Sequence, residues 1–470
     1  MTSDTATFRR SDNSGLFTRL RAPVIWLVLW WVWISISSAA SAQTPPPSTL
    51  PAIADAESIV LPASFDEVDF YLITVDVGDS IWDNFGHTAL RVVDRSSGSD
   101  LVFNWGLFDT SGGNLLFASN FLRGILNYQL GVSPPGWEFG RYEREQRTIW
   151  QDHINLTNEQ KVTLYSRLAW NLREENIVYS YQYFFDNCTT RPRDYLNEAL
   201  GGRLQEANRA LSRSTFRDEV KAHYASVATV AVSLDILMNE RIDRRMTQWE
   251  EMFLPARLRQ ELLSFPSDVM SNGQRLPLLD GSRTLLEFPS PEPQVNGYHV
   301  IGGVLLVVAI LLLLSVRRVP LASFSSQAGF TLKMSISYRL MGLTGILLSL
   351  ASGIYGTLMA FAWMKSGHLD LHHNLNLLLF WPMDLMGVVF AFPWLVRGRC
   401  CNVGETARNL INAYLILHLL AVLVYIVMVL FGLSAQNVGG LLLYFVPVAT
   451  VFSIVVLLTG FAAERRIRFS

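Results

Sequence analysis

Three cysteines occur in 470 residues, and one of them, Cys188, stands among side chains able to support chemistry in the run YFFDNCTTRPRDYL, 183 to 196. Proline is tolerated only about the first turn of a helix, so Pro192 requires the following helix to begin beside the cysteine. Cys188 is therefore expected at or just before a helix amino terminus. The macrodipole and unpaired N–H groups there lower a thiol's pKa, and Arg191 and Arg193 add positive field from nearby. The same N–H groups can hold an oxyanion during acyl transfer. Read more plainly, the two arginines form a solvated helix face paired with Asp186 or Asp194. A lone cysteine is a small buried hydrophobe, a link to a second chain or a reactive thiol.

A nucleophilic thiol needs a base, and the base needs an orienting partner. His87, His153 and His223 are the histidines of the first 290 residues. His87 opens a predicted strand directly after DNFG, where a ring can be held rigidly. His153 falls in a polar connection and His223 on a charged helix. Asn104 or Asp109, on the adjoining strand, can accept from the far ring nitrogen; Asn104 is preferred, against the plain reading of a turn or edge-strand amide. VGDS, 77 to 80, places Ser80 after a strand as in certain serine lipases, but these residues hold no Asp-x-x-His to supply that serine's base.

The elements that must position these groups follow from periodicity. DFYLITVDVG (69 to 78), HTALRVVD (87 to 94) and DLVFNWGLF (100 to 108) are rich in β-branched and aromatic residues and read as neighbouring strands, the last two joined through RSSGS. Thr157 and Gln160 form a capping box ahead of Leu164, Leu168 and Leu172 at helical spacing. VYSYQYFF sets Tyr179, Tyr181, Tyr183 and Phe185 on one side of an extended segment. TFRDEVKAHY and the long stretch from Asp235 to Leu263 read as helices.

Arginines 9, 10, 19 and 21, the apolar run from Pro23 to Ile36 and the Ala40-Ser41-Ala42 triplet have the order of an export signal, assigned to residues 1–42, with an extended linker at 43–64. An uncleaved anchor is the alternative reading of the same run. Hydrophobic residues make up 50% of the chain, and the mean hydropathy of +0.25 comes almost entirely from the part after residue 297. Five apolar stretches, 299 to 316, 340 to 363, 374 to 396, 409 to 433 and 438 to 462, each approach the ~20 residues that span a bilayer. Basic residues fall after the first, third and fifth. The positive-inside rule then sets those loops, Cys400, Cys401 and the carboxyl terminus in the cytoplasm, with residues 65–288 outside and a linker at 289–298. A net charge of −2 gives no support to nucleic-acid binding. Within the membrane domain (299–470), His373, Asn374 and Asn376, in HLDLHHNLN, are expected to line an interfacial site for lipid headgroups. Interfacial anchoring is the plainer reading, and a zinc site lacks a ligand pattern. Asp384, an acid inside an apolar stretch, needs a partner or a cavity, with Asn376 or His418 as structural partner.

DNFGHTALRVVD, LVFNWGLFD, YSYQYFFDNCTTRPRDYL and the later MFLP resemble the periplasmic domain of the Lnb family of bacterial lipoprotein N-acyltransferases, over roughly residues 65 to 260. The Gly86-His87 pair and Asn187-Cys188-Thr189-Thr190 are the specific part. The resemblance implies an α+β, permuted papain-like (NlpC-type) periplasmic domain followed by an all-α membrane domain of five transmembrane helices. It implies Cys188 as nucleophile and His87 as base, with Asn104 as orienting residue on the present reading. Arg191, Tyr181 and Asn187, with His373, Asn374, Asn376 and Asp384, are expected to contact substrate. The implied reaction moves a fatty acyl group from a phospholipid, through a cysteine thioester, to the amino-terminal diacylglyceryl-cysteine of a lipoprotein at the bacterial inner membrane. No cofactor or metal is required. A thiol hydrolase acting on cell-wall peptides or phospholipids, and a receptor or scaffold with no enzymatic activity, are the competing readings.

Overall fold

The computed structural model describes residues 62, 64–78, 83–107, 119–120, 122–124, 127–224, 228–290, 297–316 and 332–463. The export signal, nearly all of the first linker, Ser80, Asp109 and the basic segments 317–331 and 464–470 lie outside the described residues.

The three predicted strands form as β1 (Val68–Val75), β2 (His87–Asp94) and β3 (Ser99–Leu107). They are joined by β4 (Asn127–Ser133), β5 (Ile149–Ile154), β6 (Val178–Ser180) and β7 (Leu279–Leu286). The seven make one antiparallel sheet in the order β7-β5-β1-β2-β3-β4-β6. Because side chains alternate across a strand, its two faces are buried by different partners. On one face Phe70, Leu72, Leu90, Val92, Phe103 and Trp105 pack against α2 (Asn158–Asn171), α3 (Thr190–Ala199) and α6 (Pro255–Ser264). On the other, Ile73, Val75, Ala89, Val102 and Ile149 meet Tyr142 of α1 (Pro135–Arg144). The capping box at Thr157 and Gln160 starts α2 as predicted.

Two expectations need correction. Only Val178–Ser180 of VYSYQYFF is strand, because Gln182 and Asp186 then bond to each other across a tight turn. The stretch from 235 to 263 is not continuously helical. After α4 (Phe216–His223) and α5 (Ala228–Leu237) come a short turn Glu240–Asp243, a strand Arg245–Thr247 paired with Leu211–Thr215, and then α6. The breaks have local causes. Asn239 caps Arg241 N–H, and Thr247 forms its own capping box with Glu250.

Among the described residues the membrane part contains four long apolar helices: α7 (Gly297–Val316), α8 (Leu332–Lys365), α10 (Glu405–Leu430) and α11 (Val446–Thr459), the last continuing from one wide turn at Leu441–Phe445. The third predicted stretch is broken. Leu369–Leu378 and Pro382–Arg397, which includes α9 (Gly387–Arg397), meet at 56°. Pro382 denies the backbone a donor there, and Asn374 and Asp384 hydrogen-bond their own local N–H groups, favouring short turns over a helix.

Candidate active site

His87 enters β2 from Gly86, whose φ of +78° favours glycine and where a Cβ would stand 2.7 Å from the Val75 carbonyl oxygen. Ala89 lies opposite Asn104 in the β2–β3 register. His87, two residues earlier, is therefore a same-face diagonal neighbour of Asn104. The imidazole Nε2–H donates to Asn104 Oδ1 over 2.6 Å, leaving Nδ1 as the free ring nitrogen. Asn104 is buried, and its Nδ2 donates to the carboxylate of Glu138 on α1.

Cys188 stands immediately before Thr189, the amino cap of α3. Asn187 shapes this turn: its Oδ1 accepts the Thr189 and Thr190 N–H groups at 2.8 Å each, while its Nδ2 donates to the Tyr183 and Phe253 carbonyls. Thr88 and Thr189 hydroxyls meet at 3.1 Å and tie the head of α3 to β2. Farther along, Asn171 Oδ1 accepts from both Trp105 of β3 and Tyr195 of α3, fixing helix to sheet. The thiol and the imidazole converge on Gly106. The point where its Cβ would sit is 3.7 Å from Cys188 Cβ and 4.0 Å from His87 Cε1. Gly106 has φ +98°, and the β3–β4 register slips between Trp105 and Leu107. This bulge bends the strand end and leaves a gap free of side chain between the two groups.

The electrostatics differ from the sequence-based expectation. Burial pushes the Cys188 thiol up, opposed by the Thr189 hydroxyl, the Thr88 N–H and the more distant Arg147 guanidinium. Burial, with the charges of Arg141 and Arg147, pushes His87 down to about 3. The resting pair is a neutral thiol beside a neutral imidazole rather than a preformed thiolate. Arg191 and Arg193 do not supply the field. Arg191 forms a two-pronged pair with Asp186 and covers the Tyr179 ring at 3.8 Å, and Arg193 pairs with Asp194 and the Trp249 carbonyl. The cation whose charge acts on the thiol is Arg147, only 4% exposed and held by Asp83, Glu145 and the Asp76 carbonyl. Tyr181 stacks on Tyr128 with ring centroids 4.2 Å apart and packs with Cys188 against the core.

Other predicted site residues are not gathered here. His153 sits on β5 between Asp69 and Asp280, and His223 stacks on Phe85. Asn374 and Asn376 each donate to the Ile236 carbonyl at 2.8 Å. Their side-chain oxygens accept from Gln436 and Tyr425 respectively. These amides thus grip the end of α5 instead of facing an open headgroup surface. His373 lies beside the Trp363 ring. Asp384 accepts from Ser352, from Tyr414 at 2.7 Å and from the Trp381 N–H, and is paired with His418 at 3.3 Å. Of the two partners considered from sequence, His418 is the one observed. It precedes Leu430, at the outer-domain end of α10, by about 18 Å of helix at roughly 1.5 Å per residue. Asp384 therefore lies deep in the bundle, at the head of a cavity of about 450 Å³ lined mainly by apolar side chains.

Glu138, Arg147, Gly106 and the Thr88–Thr189 contact were not anticipated. Glu138, one of two glutamates in PPGWEFGRYER, and the arginine after this run carry no motif. A glycine inside an otherwise strand-like run was the one usable signal, since it marks a bulge or a close approach.

Residues 62–222, the part of the chain that contributes His87, Asn104, Glu138 and Cys188, match the family model of the Lnb N-terminal periplasmic domain. The resemblance read from the Gly86-His87 and Asn187-Cys188 motifs is borne out for this domain. Together with the apolar helices, it fits a multi-pass protein of the inner membrane. No curated protein and no solved structure matches the chain.

Proposed function

We propose that the protein is a cysteine-dependent acyltransferase of lipoproteins, with Cys188 as nucleophile, His87 as base and Asn104 as orienting residue. The observation that carries this reading is the meeting of Cys188, at the head of α3, with an imidazole already bonded through Nε2 to Asn104, across the gap at Gly106. The order His87, Asn104, Cys188 along the chain agrees with a permuted papain-like arrangement.

In the first half-reaction Nδ1 of His87 takes the thiol proton as Sγ attacks an ester carbonyl of a phospholipid. The tetrahedral oxyanion collapses, and His87 returns the proton to the departing lysophospholipid alcohol, leaving a thioester on Cys188. In the second half-reaction the α-amine of a diacylglyceryl-cysteine attacks the thioester. His87 accepts the amine proton and passes it to the sulfur, giving an amide and the free thiol. A neutral resting imidazole suits a base that must be unprotonated when substrate arrives. Asn187 and Arg191 serve this scheme by shaping and bracing the turn that presents Cys188, and Tyr181 by walling the thiol with aromatic surface.

Lipid substrates are supported by how the catalytic domain is held. The 233–243 segment is grasped by the membrane part: Ser233 by Tyr355, Asn239 by the carbonyls of Leu369 and His372, Glu240 by Ser434 and Ala435. Tyr183, five residues before the nucleophile, reaches Asp370. A thiol site held against the apolar helices suits substrates anchored in a bilayer, and in this reading the catalytic domain is periplasmic and the carboxyl terminus cytoplasmic. The test is mass spectrometry of a lipoprotein's amino-terminal lipopeptide from cells lacking their own N-acyltransferase, supplied with this protein or its Cys188→Ser form. One added amide-linked acyl group with the unaltered protein alone is expected. An unchanged lipopeptide with a correctly inserted protein sinks the lipoprotein reading, and phospholipase and peptidase assays then decide between the hydrolytic alternatives.

A further inference from the structure

An asparagine amide can turn either its oxygen or its nitrogen toward a neighbour, and the two choices have opposite consequences at His87. With Oδ1 facing the ring, Nε2 carries the proton and Nδ1 is free to accept one. With Nδ2 facing the ring, Nε2 must accept, the ring proton moves to Nδ1, and no basic nitrogen is left for Cys188. The activity of the base thus depends on which way a side chain of nearly symmetrical shape is turned.

We propose that Glu138 is the positioning residue that settles this choice; the proposal rests on the thiol–imidazole reading above. A carboxylate paired with an arginine is an acceptor only, so it can receive Nδ2–H of Asn104 but has nothing to offer Oδ1. Glu138 is 1% exposed and Asn104 2%, so water does not compete for either group. Glu138 is itself held from two sides. Arg141 Nη2 donates to Oε1 at 3.0 Å and Ser133 Oγ to Oε2 at 3.1 Å. Arg141 also donates to the Tyr142 hydroxyl at 2.6 Å and lies 4.6 Å above that ring, which is part of the packing under the sheet. The direction of donation therefore runs without ambiguity from Arg141 and Ser133 into Glu138, from Asn104 Nδ2 into Glu138, and from His87 Nε2 into Asn104 Oδ1. Glu138 acts through the imidazole's tautomer, one residue removed from the ring. A glutamate at this depth is costly to bury, and its role in orienting Asn104 accounts for its presence there.

The experiment reads alkylation of Cys188 by iodoacetamide across pH 5.5 to 9 in the full-length protein, with peptide-resolved mass spectrometry separating Cys188 from Cys400 and Cys401. The unaltered protein is expected to alkylate faster near neutral pH than His87→Ala, because the imidazole assists. Glu138→Ala is expected to fall by about 10- to 100-fold near pH 7, the loss of one oriented hydrogen bond to a charged group, and to follow the His87→Ala profile. Glu138→Gln keeps an acceptor oxygen but can also turn its amide, and is expected between the two. The decisive variant is Asn104→Asp combined with Glu138→Gln. The amide introduced at position 138 donates to the carboxylate introduced at position 104, and that carboxylate accepts from His87. Amide and carboxylate have then exchanged places while Nε2 is still forced to donate. This pair is expected to recover assistance that Asn104→Asp alone, with two carboxylates face to face, lacks. Recovery depends on donor direction and not on volume, so a purely structural role would not produce it. If Glu138→Ala follows the unaltered protein while His87→Ala departs, or if the double variant fails to recover although folded, the Glu138 assignment is overturned and the thiol–imidazole reading stands. If His87→Ala matches the unaltered protein throughout, both fall.

Discussion

Replacing Arg217 by methionine tests how the sheet domain is fastened to the membrane part. The guanidinium is 1% exposed and pairs with two carboxylates that are themselves buried: Asp235 at 2.9 Å and Asp243 at 2.6 Å. It also donates to the carbonyls of Met238 and Asn239 at 3.0 and 3.1 Å. The residues it ties together run from the end of α5 into the turn that Asn374, Asn376 and Gln436 grip from the membrane side. Methionine of similar length fills much of the space but leaves Asp235 with Lys221 and the Tyr298 hydroxyl, and Asp243 with the Asn437 N–H. Removing one partner of a buried ionic cluster costs about 3–5 kcal/mol, against which the added apolar packing returns little because the carboxylates remain. At roughly 2–4 °C per kcal/mol, Tm should fall by about 6–20 °C. The assay is thermal unfolding of the full chain in detergent, with a pair of spin labels, one in the sheet domain and one on α10, to read the separation of the two parts. Arg217→Met should broaden that distance distribution below the new Tm, and transfer from phospholipid should fall more than acylation by a small soluble ester. Arg217→Lys, which keeps the charge and loses the planar fork, should lie between. An unchanged Tm together with an unbroadened distance distribution would refute the assignment of this cluster as the fastening.

Three further outcomes follow from the site. Asn104→Ala removes the acceptor for His87 Nε2–H and should slow thioester formation by about 10- to 100-fold, measured in a single turnover, without abolishing it as Cys188→Ser does; full loss would show that Asn104 does more than orient. Gly106→Ala forces a side chain to φ +98° and fills the gap between thiol and imidazole, so acyl transfer should drop more than tenfold while stability falls by about 1–2 kcal/mol, read as rate and Tm on one preparation; retained activity would mean substrate does not approach there. The folded pKa of His87, near 3, lies below its unfolded value of 6.5, so below pH 6.5 the unfolded chain binds the proton that the folded one refuses. Stability should therefore be lost as pH falls from 6.5 toward 3, by up to about 2 kcal/mol between pH 6.5 and 5. His87→Asn should flatten that part of the Tm-against-pH curve, and an unaltered slope would show that another group controls it.

Much of this was legible in the chain because it is local. The β-branched runs at 69 to 78, 87 to 94 and 100 to 108 gave strands since alternation needs no distant partner, and Thr157 with Gln160 marked a helix start from four residues. Pro192 located the head of α3 and with it Cys188. Apolar length identified the membrane helices. The Gly86-His87 and Asn187-Cys188 motifs pointed to the family model that residues 62–222 match.

Long-range packing decided the rest. Which carboxylate stands behind Asn104 depends on how α1 crosses the sheet, and Glu138 has no signature of its own in PPGWEFGRYER. The arginines next to Cys188 in sequence turned to Asp186 and Asp194, and Arg147 brought positive charge toward the site instead. Sequence proximity says which charges are near along the chain, whereas the field at a thiol depends on where side chains end up and on how much water burial removes. The same reason separates Asn374 and Asn376 from Asp384. All three stood out as polar groups in an apolar stretch, and only the bend in that stretch set two of them against α5 and the third deep among the helices. Composition and spacing thus determined that a thiol domain sits on a membrane bundle; the folded chain alone determined which atoms face the thiol and which fasten the two parts together, because those contacts join residues with no local reason to meet.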